Sequence, residues 1–176
     1  MNFCFTTVIK RKSARFFVVQ LAISTKEELQ FLIHRAWEIE KKFESLSAWK
    51  SFVSMGSAYR STILTLARES HLHRLNLEKL LKTLGLEAPT NEIPEGTFDF
   101  ASMVDSEMLR KTVEHDEMAR EVYTKILENT DPEIVSELSS GKGVEFFYQT
   151  LKQMVEDETR HISMVRKITG HIERIQ

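Results

Sequence analysis

Apolar positions recur along most of the chain at alternating three- and four-residue spacing, the pattern of helices that bury one face. The spacing predicts four long helices. The first starts at Thr25, where T-K-E-E offers an N-cap hydroxyl and an acid three residues on, and runs to about Met55, before Gly56. Its seam is Leu29, Leu32, Ala36, Glu40, Phe43 and Ser47. The second spans about Ala58 to Leu84 with Gly85 as its stop, and its seam is Tyr59, Ile63, Leu66, Ser70, His73, Leu77, Leu80 and Leu84. The third spans about Met103 to Glu128, with the seam Leu109, Thr112, Asp116, Ala119, Tyr123 and Ile126, and Asn129-Thr130-Asp131-Pro132 stops it. DPEIVSELSS suits a short helix, after which Gly141-Lys142-Gly143 resets the chain into the fourth long helix. That helix carries Phe147, Leu151, Met154, Glu158, His161, Val165, Ile168 and Ile172 along its seam. The stretch of about twenty residues between the second and third helices is too long for a tight hairpin and fits a crossover between the ends of a bundle. The expected fold is all-α, an antiparallel four-helix bundle with one long crossover between helices 2 and 3.

Each seam is interrupted by polar residues at mid-length. Glu158 stands three residues before His161, so carboxylate and imidazole share one helix face about a turn apart and can hold a single metal ion. Ser70 and His73 occupy the same two slots in the second helix, and Glu40 and Asp116 interrupt the first and third. At about 1.5 Å rise per residue, Glu40, Ser70 and His73 lie at one height above the Gly56 turn, and Asp116 and Glu158 at matching heights in the second hairpin. The pairing reads as a duplicated helical hairpin. Three carboxylates converging with two imidazoles would repel or take up protons unless a cation sits among them. The mixed oxygen and imidazole set suits iron, manganese or zinc better than magnesium or calcium. A buried Glu158–His161 hydrogen-bonded pair, without metal, is the plainer reading of that motif taken alone.

Composition adds bounds. The chain has 176 residues, long enough for one domain with a real core, and 28% charged residues with a net charge of -2 leave no basic field for nucleic acid. Cys4 is the single cysteine, which excludes an intramolecular disulfide and a cysteine-ligated iron or zinc module built from this chain; a reducing, cytoplasmic setting fits. Residues 1–24 differ from the rest, with two β-prone runs around a basic turn, and read as a dispensable extension to the domain at 25–176. They make a poor signal peptide, because the charges lie in the middle and no A-x-A site follows. No segment reads as a membrane span.

With these residues in place the chain resembles the ferritin-like superfamily, most closely the rubrerythrin-type diiron proteins, over about residues 26–172. That pattern sets a Glu on helices 1 and 3 and an E-x-x-H on helices 2 and 4, and its one intact motif here is Glu158-x-x-His161. The resemblance implies Glu40, His73, Asp116, Glu158 and His161 as metal ligands, with Tyr123 as a catalytic tyrosine near the metals. Two departures stand out: Ser70 replaces the second-helix Glu, and Asp116 is shorter than the usual acid. Glu69 and His71 flank the first, Glu114 and Glu117 the second, and all four are expected on a solvated face unless one substitutes as ligand. His34 and His171 fall toward helix ends and are expected at the surface. The resemblance further implies two transition-metal ions (iron first, manganese or zinc as alternatives) and a redox enzyme reducing peroxide or oxidising ferrous iron. The rubredoxin-like module common in the family is absent, so electrons would come from a separate donor protein; a homodimer is compatible. A non-catalytic metal-binding or metal-sensing bundle with a degenerate site is the alternative, and a structural bundle whose polar layer fixes helix register is a third reading.

Overall fold

The computed structural model describes residues 22–44, 56–90 and 103–172, apart from the side chains of Ala58, His171 and Ile172. Among the described residues the chain is all-helical, with no strand. In order come α1 (Lys26–Phe43), α2 (Ser57–Thr83), α3 (Asp105–Asn129), the short α4 (Pro132–Leu138) and α5 (Val144–Ile172). The expected continuation of the first helix to Met55, with Ser47, and most of the crossover lie outside the described residues.

Local chemistry sets the helix ends. Thr25 caps α1 through a capping box, its hydroxyl accepting from the Glu28 N–H while the Glu28 carboxylate accepts from the Thr25 N–H. Past α2 the chain turns at Gly85 with φ +60°, a conformation that costs a residue with a Cβ, and the Leu86 N–H closes back onto the Leu81 carbonyl at 2.9 Å. Asp131 caps α4, with Pro132 at its first position.

The four long helices pack in a closed cycle: α1 against α2 and α3, and α5 against α2 and α3, with α4 resting on α5. Where described, the seams expected from spacing are the buried faces, with Tyr59 and Ile168 half-buried at their ends, Ile172 outside the described side chains, and one shift in α1. There Ile33 is fully buried and Leu32 only half so, because the helix face turned inward centres between Leu29, Ile33, Ala36 and Glu40. No described helix is long and apolar enough to cross a membrane.

The core falls into two apolar clusters. One gathers Leu29, Ile33, Ile39, Leu77, Ala119, Tyr123, Leu151 and Met154, among others. The other holds Phe43, Ile63, Leu66, Ala67, Leu109 and Val165. In every long helix the polar seam residues lie between the two: Glu40 before Phe43, Ser70 and His73 between Ala67 and Leu77, Asp116 between Leu109 and Ala119, Glu158 and His161 between Met154 and Val165. A single polar layer therefore divides the core.

The core also reaches back beyond the N-cap. Ile23 is 4% exposed, donates its N–H to the Asn129 carbonyl at 2.7 Å and accepts from Asp131 N–H at 3.1 Å. Ile23→Ala is expected to cost about 2–4 kcal/mol, as for other buried Ile truncations, measured by urea unfolding. Neutral behaviour would show that this segment does not anchor the end of α3.

Candidate metal centre

The layer contains Glu40, Ser70, His73, Thr112, His115, Asp116, Glu158 and His161, each buried to within a few per cent. Glu158 spans its middle, with Oε1 2.9 Å from His73 Nδ1 and Oε2 3.3 Å from His161 Nδ1. Glu40 Oε1 lies 3.5 Å from the same His73 nitrogen and accepts a short hydrogen bond from the Tyr123 hydroxyl. Two groups result, Glu40–His73–Glu158 and Asp116–Glu158–His161, each with donor atoms within 4.8 Å of one another and each able to hold a metal ion.

Buried polar atoms are nearly always paired, yet three in this layer have no hydrogen bond: Glu40 Oε2, His73 Nδ1 and Asp116 Oδ2. His73 Nδ1 approaches two carboxylate oxygens without hydrogen-bond geometry to either. Donors each about 2.1 Å from one ion, at tetrahedral to octahedral angles, lie about 3.0–3.4 Å apart. The observed separations of 2.9, 3.3 and 3.5 Å bracket that spacing. The residues present thus fit a metal.

Both imidazoles turn Nδ1 inward, and their Nε2 atoms meet acids on the opposite helix. His73 Nε2 lies 3.4 Å from Asp157 Oδ2, and His161 Nε2 contacts the Glu69 carboxylate. Each acid stands four residues before the histidine of its own helix and serves the histidine of the other, so α2 and α5 exchange partners. Such outer carboxylates fix the tautomer and raise the basicity of a ligating imidazole. Arg160 ties the two together, with Nη2 2.7 Å from Glu69 and 2.9 Å from Asp157. On the other side His115, adjacent to Asp116, donates from Nε2 to the Ile39 carbonyl at 2.9 Å and sets Nδ1 3.4 Å from Asp116 Oδ1. It thereby braces α3 against the turn of α1 that carries Glu40.

All five residues put forward as ligands, and Tyr123, come together in this layer. Ser70 is 3% exposed, three residues before His73. Glu114 pairs with Arg110 and Lys111 at the surface, and Glu117 with Arg166, so Asp116 is the acid that α3 turns inward. His71 contacts Glu44, which also receives Arg74 Nε at 2.5 Å, outside the layer. Glu69 departs from the expected solvated face: its neighbour across the helix pair is a histidine of the site. His34 is half-buried and donates to the Glu87 carbonyl at 2.8 Å; the His171 side chain lies outside the described residues. Sequence reasoning missed Asp157, Arg160 and His115. The signal for Asp157 was an acid four residues before each histidine; His115 lies one position off the seam and offered none.

The electrostatics of the metal-free layer are uneven. Burial opposes a charged His73, but Glu158 and Glu40 outweigh it and raise its pKa to about 11. Burial likewise pushes Glu158 up, and the hydrogen bond from His161 together with the close approach of His73 overcomes that and brings it to about 2. His161 is raised, with Glu158 and Glu69 prevailing over burial. Asp116 moves the other way: burial, with the charge of Glu158 and against the His115 hydrogen bond, lifts it to about 6. Tyr123 is raised well above its usual range by burial and by Glu40 and Glu158.

A raised carboxylate pKa means that folding favours the protonated acid. Below about pH 4 Asp116 is neutral in both states, whereas above about pH 6 its ionisation opposes folding. Asp116→Asn is therefore expected to stabilise the metal-free protein, by up to a few kcal/mol above about pH 6 and progressively less toward pH 4. Melting curves in chelator at pH 4.5 and pH 8 check this. A loss of stability at pH 8 would show that the Asp116 charge is compensated by the chain itself.

No protein-family model matches the chain, and searches of curated proteins and of solved structures return no significant match.

Proposed function

We propose that the chain is a ferritin-like antiparallel four-helix bundle whose polar layer binds two transition-metal ions, iron first, and that it acts as a rubrerythrin-like oxidoreductase on peroxide or on ferrous iron. The observation that carries this reading is the set of orphaned buried atoms, Glu40 Oε2, His73 Nδ1 and Asp116 Oδ2, in two groups that share Glu158. An apolar core gains nothing from such atoms, and each costs about 1–3 kcal/mol unless a ligand satisfies it. In this assignment Glu40 and His73 serve one position, Asp116 and His161 the other, and Glu158 both.

Bound ions of this kind supply electron transfer and polarise an O–O bond. The chain's own part is to hold and shield them. Glu158 presents one oxygen to each group. Asp157 and Glu69 keep Nδ1 of His73 and His161 available by accepting hydrogen bonds from their Nε2–H groups. Tyr123, with its raised pKa, keeps its proton at working pH and holds it against Glu40 Oε1. The apolar clusters above and below the layer exclude water, which strengthens these interactions. In peroxide reduction the electrons would come from a separate donor, since one cysteine in these 176 residues cannot build a cysteine-ligated transfer centre, whereas ferrous iron as substrate supplies its own.

A second reading, a metal-binding or sensing bundle without turnover, draws on Ser70, which sits buried where a second E-x-x-H would place its acid. Single-turnover oxidation separates the two. Anaerobic protein loaded with ferrous iron is expected to be oxidised by a stoichiometric pulse of peroxide much faster than free ferrous iron is. An unaccelerated rate would favour the sensing role.

A further inference from the structure

We infer that a divalent cation reaches the buried layer between Glu69 and Asp157, and that the guanidinium of Arg160 is the latch on that passage. The inference rests on the proposed metal centre and adds its route of loading.

The layer's own residues are closed to solvent. Glu40 and Tyr123 are fully buried, and Phe43, Asp116 and His115 are 3% exposed or less. Among the described groups that hydrogen-bond to the site histidines from outside, Asp157 and Glu69 reach solvent, their side chains 22% and 24% exposed. They are acids, the chemistry that captures a hydrated cation and replaces its water with oxygen donors. Behind them stand the two imidazoles, near-parallel with ring centroids 6.0 Å apart, each with Nε2 toward the outer acids and Nδ1 toward the inner ones. The two surface carboxylates thus contact the imidazoles, and the imidazoles in turn face the inner acids.

A cation already stands at those surface carboxylates. Arg160 is 52% exposed and bridges both acids from one nitrogen, with Nη1 a further 3.4 Å from Glu69 Oε1. Its charge occupies the place an arriving ion needs. Held by exposed contacts alone, it can swing into solvent at small cost, freeing two carboxylates at once. Gln153, which donates to Asp157 Oδ1 at 3.2 Å, keeps that acid in place meanwhile. Loading and release then share one gate, so its removal accelerates both.

The test follows binding of cobaltous ion to metal-free full-length chain by stopped-flow absorbance, with release measured into excess chelator. Arg160→Met, which retains most of the stem, is expected to raise association and dissociation rates together by tenfold or more, their ratio moving far less. Arg160→Lys should stay within about threefold of the parent in both rates. In the R160M background, Glu69→Gln keeps an acceptor for His161 but removes a capturing charge, and should slow association about fivefold. Unchanged rates in R160M would overturn the inference, as would faster release with unaltered loading, the signature of an arginine that merely positions the histidines. A parent that binds no cobaltous ion would instead remove the metal centre, and the route with it.

Discussion

Ser70→Glu is expected to destabilise the metal-free protein and to tighten metal binding, effects of opposite sign at one residue. Ser70 is buried in the polar layer, three residues before His73, in the register that Glu158 holds before His161. A glutamate there adds a fourth carboxylate to a layer whose Asp116 is already pushed up to about 6. Without a cation the new charge joins three acids, and the His73 and His161 imidazoles already face Glu158. A loss of several kcal/mol at pH 8, or uptake of a proton, follows. With divalent ions present the added acid completes a second E-x-x-H, and affinity for the more weakly held ion should rise at least tenfold. Urea unfolding in chelator and in saturating cobaltous ion, beside a calorimetric titration, reads both effects. Equal stability of the mutant with and without metal would place the residue 70 side chain outside the layer's field.

Glu158→Gln is expected to abolish both binding positions together, lowering affinity a hundredfold or more. Glu158 is the one residue common to the two groups, and its two oxygens face different histidines at 2.9 and 3.3 Å. The stabilisation that metal gives the parent, which grows with concentration over Kd, should vanish in the variant. The metal-free protein should suffer as well. Glu158 has its pKa lowered to about 2 by His161 and His73, so its contribution is present above about pH 4.5 and is lost as pH falls through about 2. At neutral pH the amide thus forfeits it and leaves two imidazoles without their shared counter-charge. Glu158→Gln and Asp116→Asn are close in chemistry and in place, yet they should move metal-free stability in opposite directions. Thermal melts at pH 7 in chelator compare them directly; the same direction for both would show that Glu158 is not the anion that holds the histidines.

Much of this organisation was legible along the chain because helix periodicity is local. The seams of α2, α3 and α5 could be counted residue by residue, and the T-K-E-E cap and Gly85 turn mark ends that backbone chemistry dictates. Equal rise per residue then carried Glu40, His73, Asp116 and Glu158 to one height. Side-chain choices between helices were not legible, since they depend on how the helices rotate against one another. Leu32 and Ile33 both fit the α1 period, and packing selects Ile33. Glu69 looks like a surface acid on α2 until α5 brings His161 against it. Ile23 belongs by composition to the β-prone leader, but a backbone pairing with Asn129 and Asp131, over a hundred residues away, ties it to the core. The closed cycle of four long helices follows from which elements pack together, whereas the ferritin-like reading is a proposal that draws on the site pattern.

Metal stoichiometry tests the central claim most directly. Metal-free chain titrated anaerobically with ferrous or cobaltous ion, with bound metal quantified after gel filtration, should retain two ions per chain in the parent and none in the Glu158→Gln variant. A parent that retains no metal under any of these conditions, or a variant that retains as much as the parent, would contradict the account.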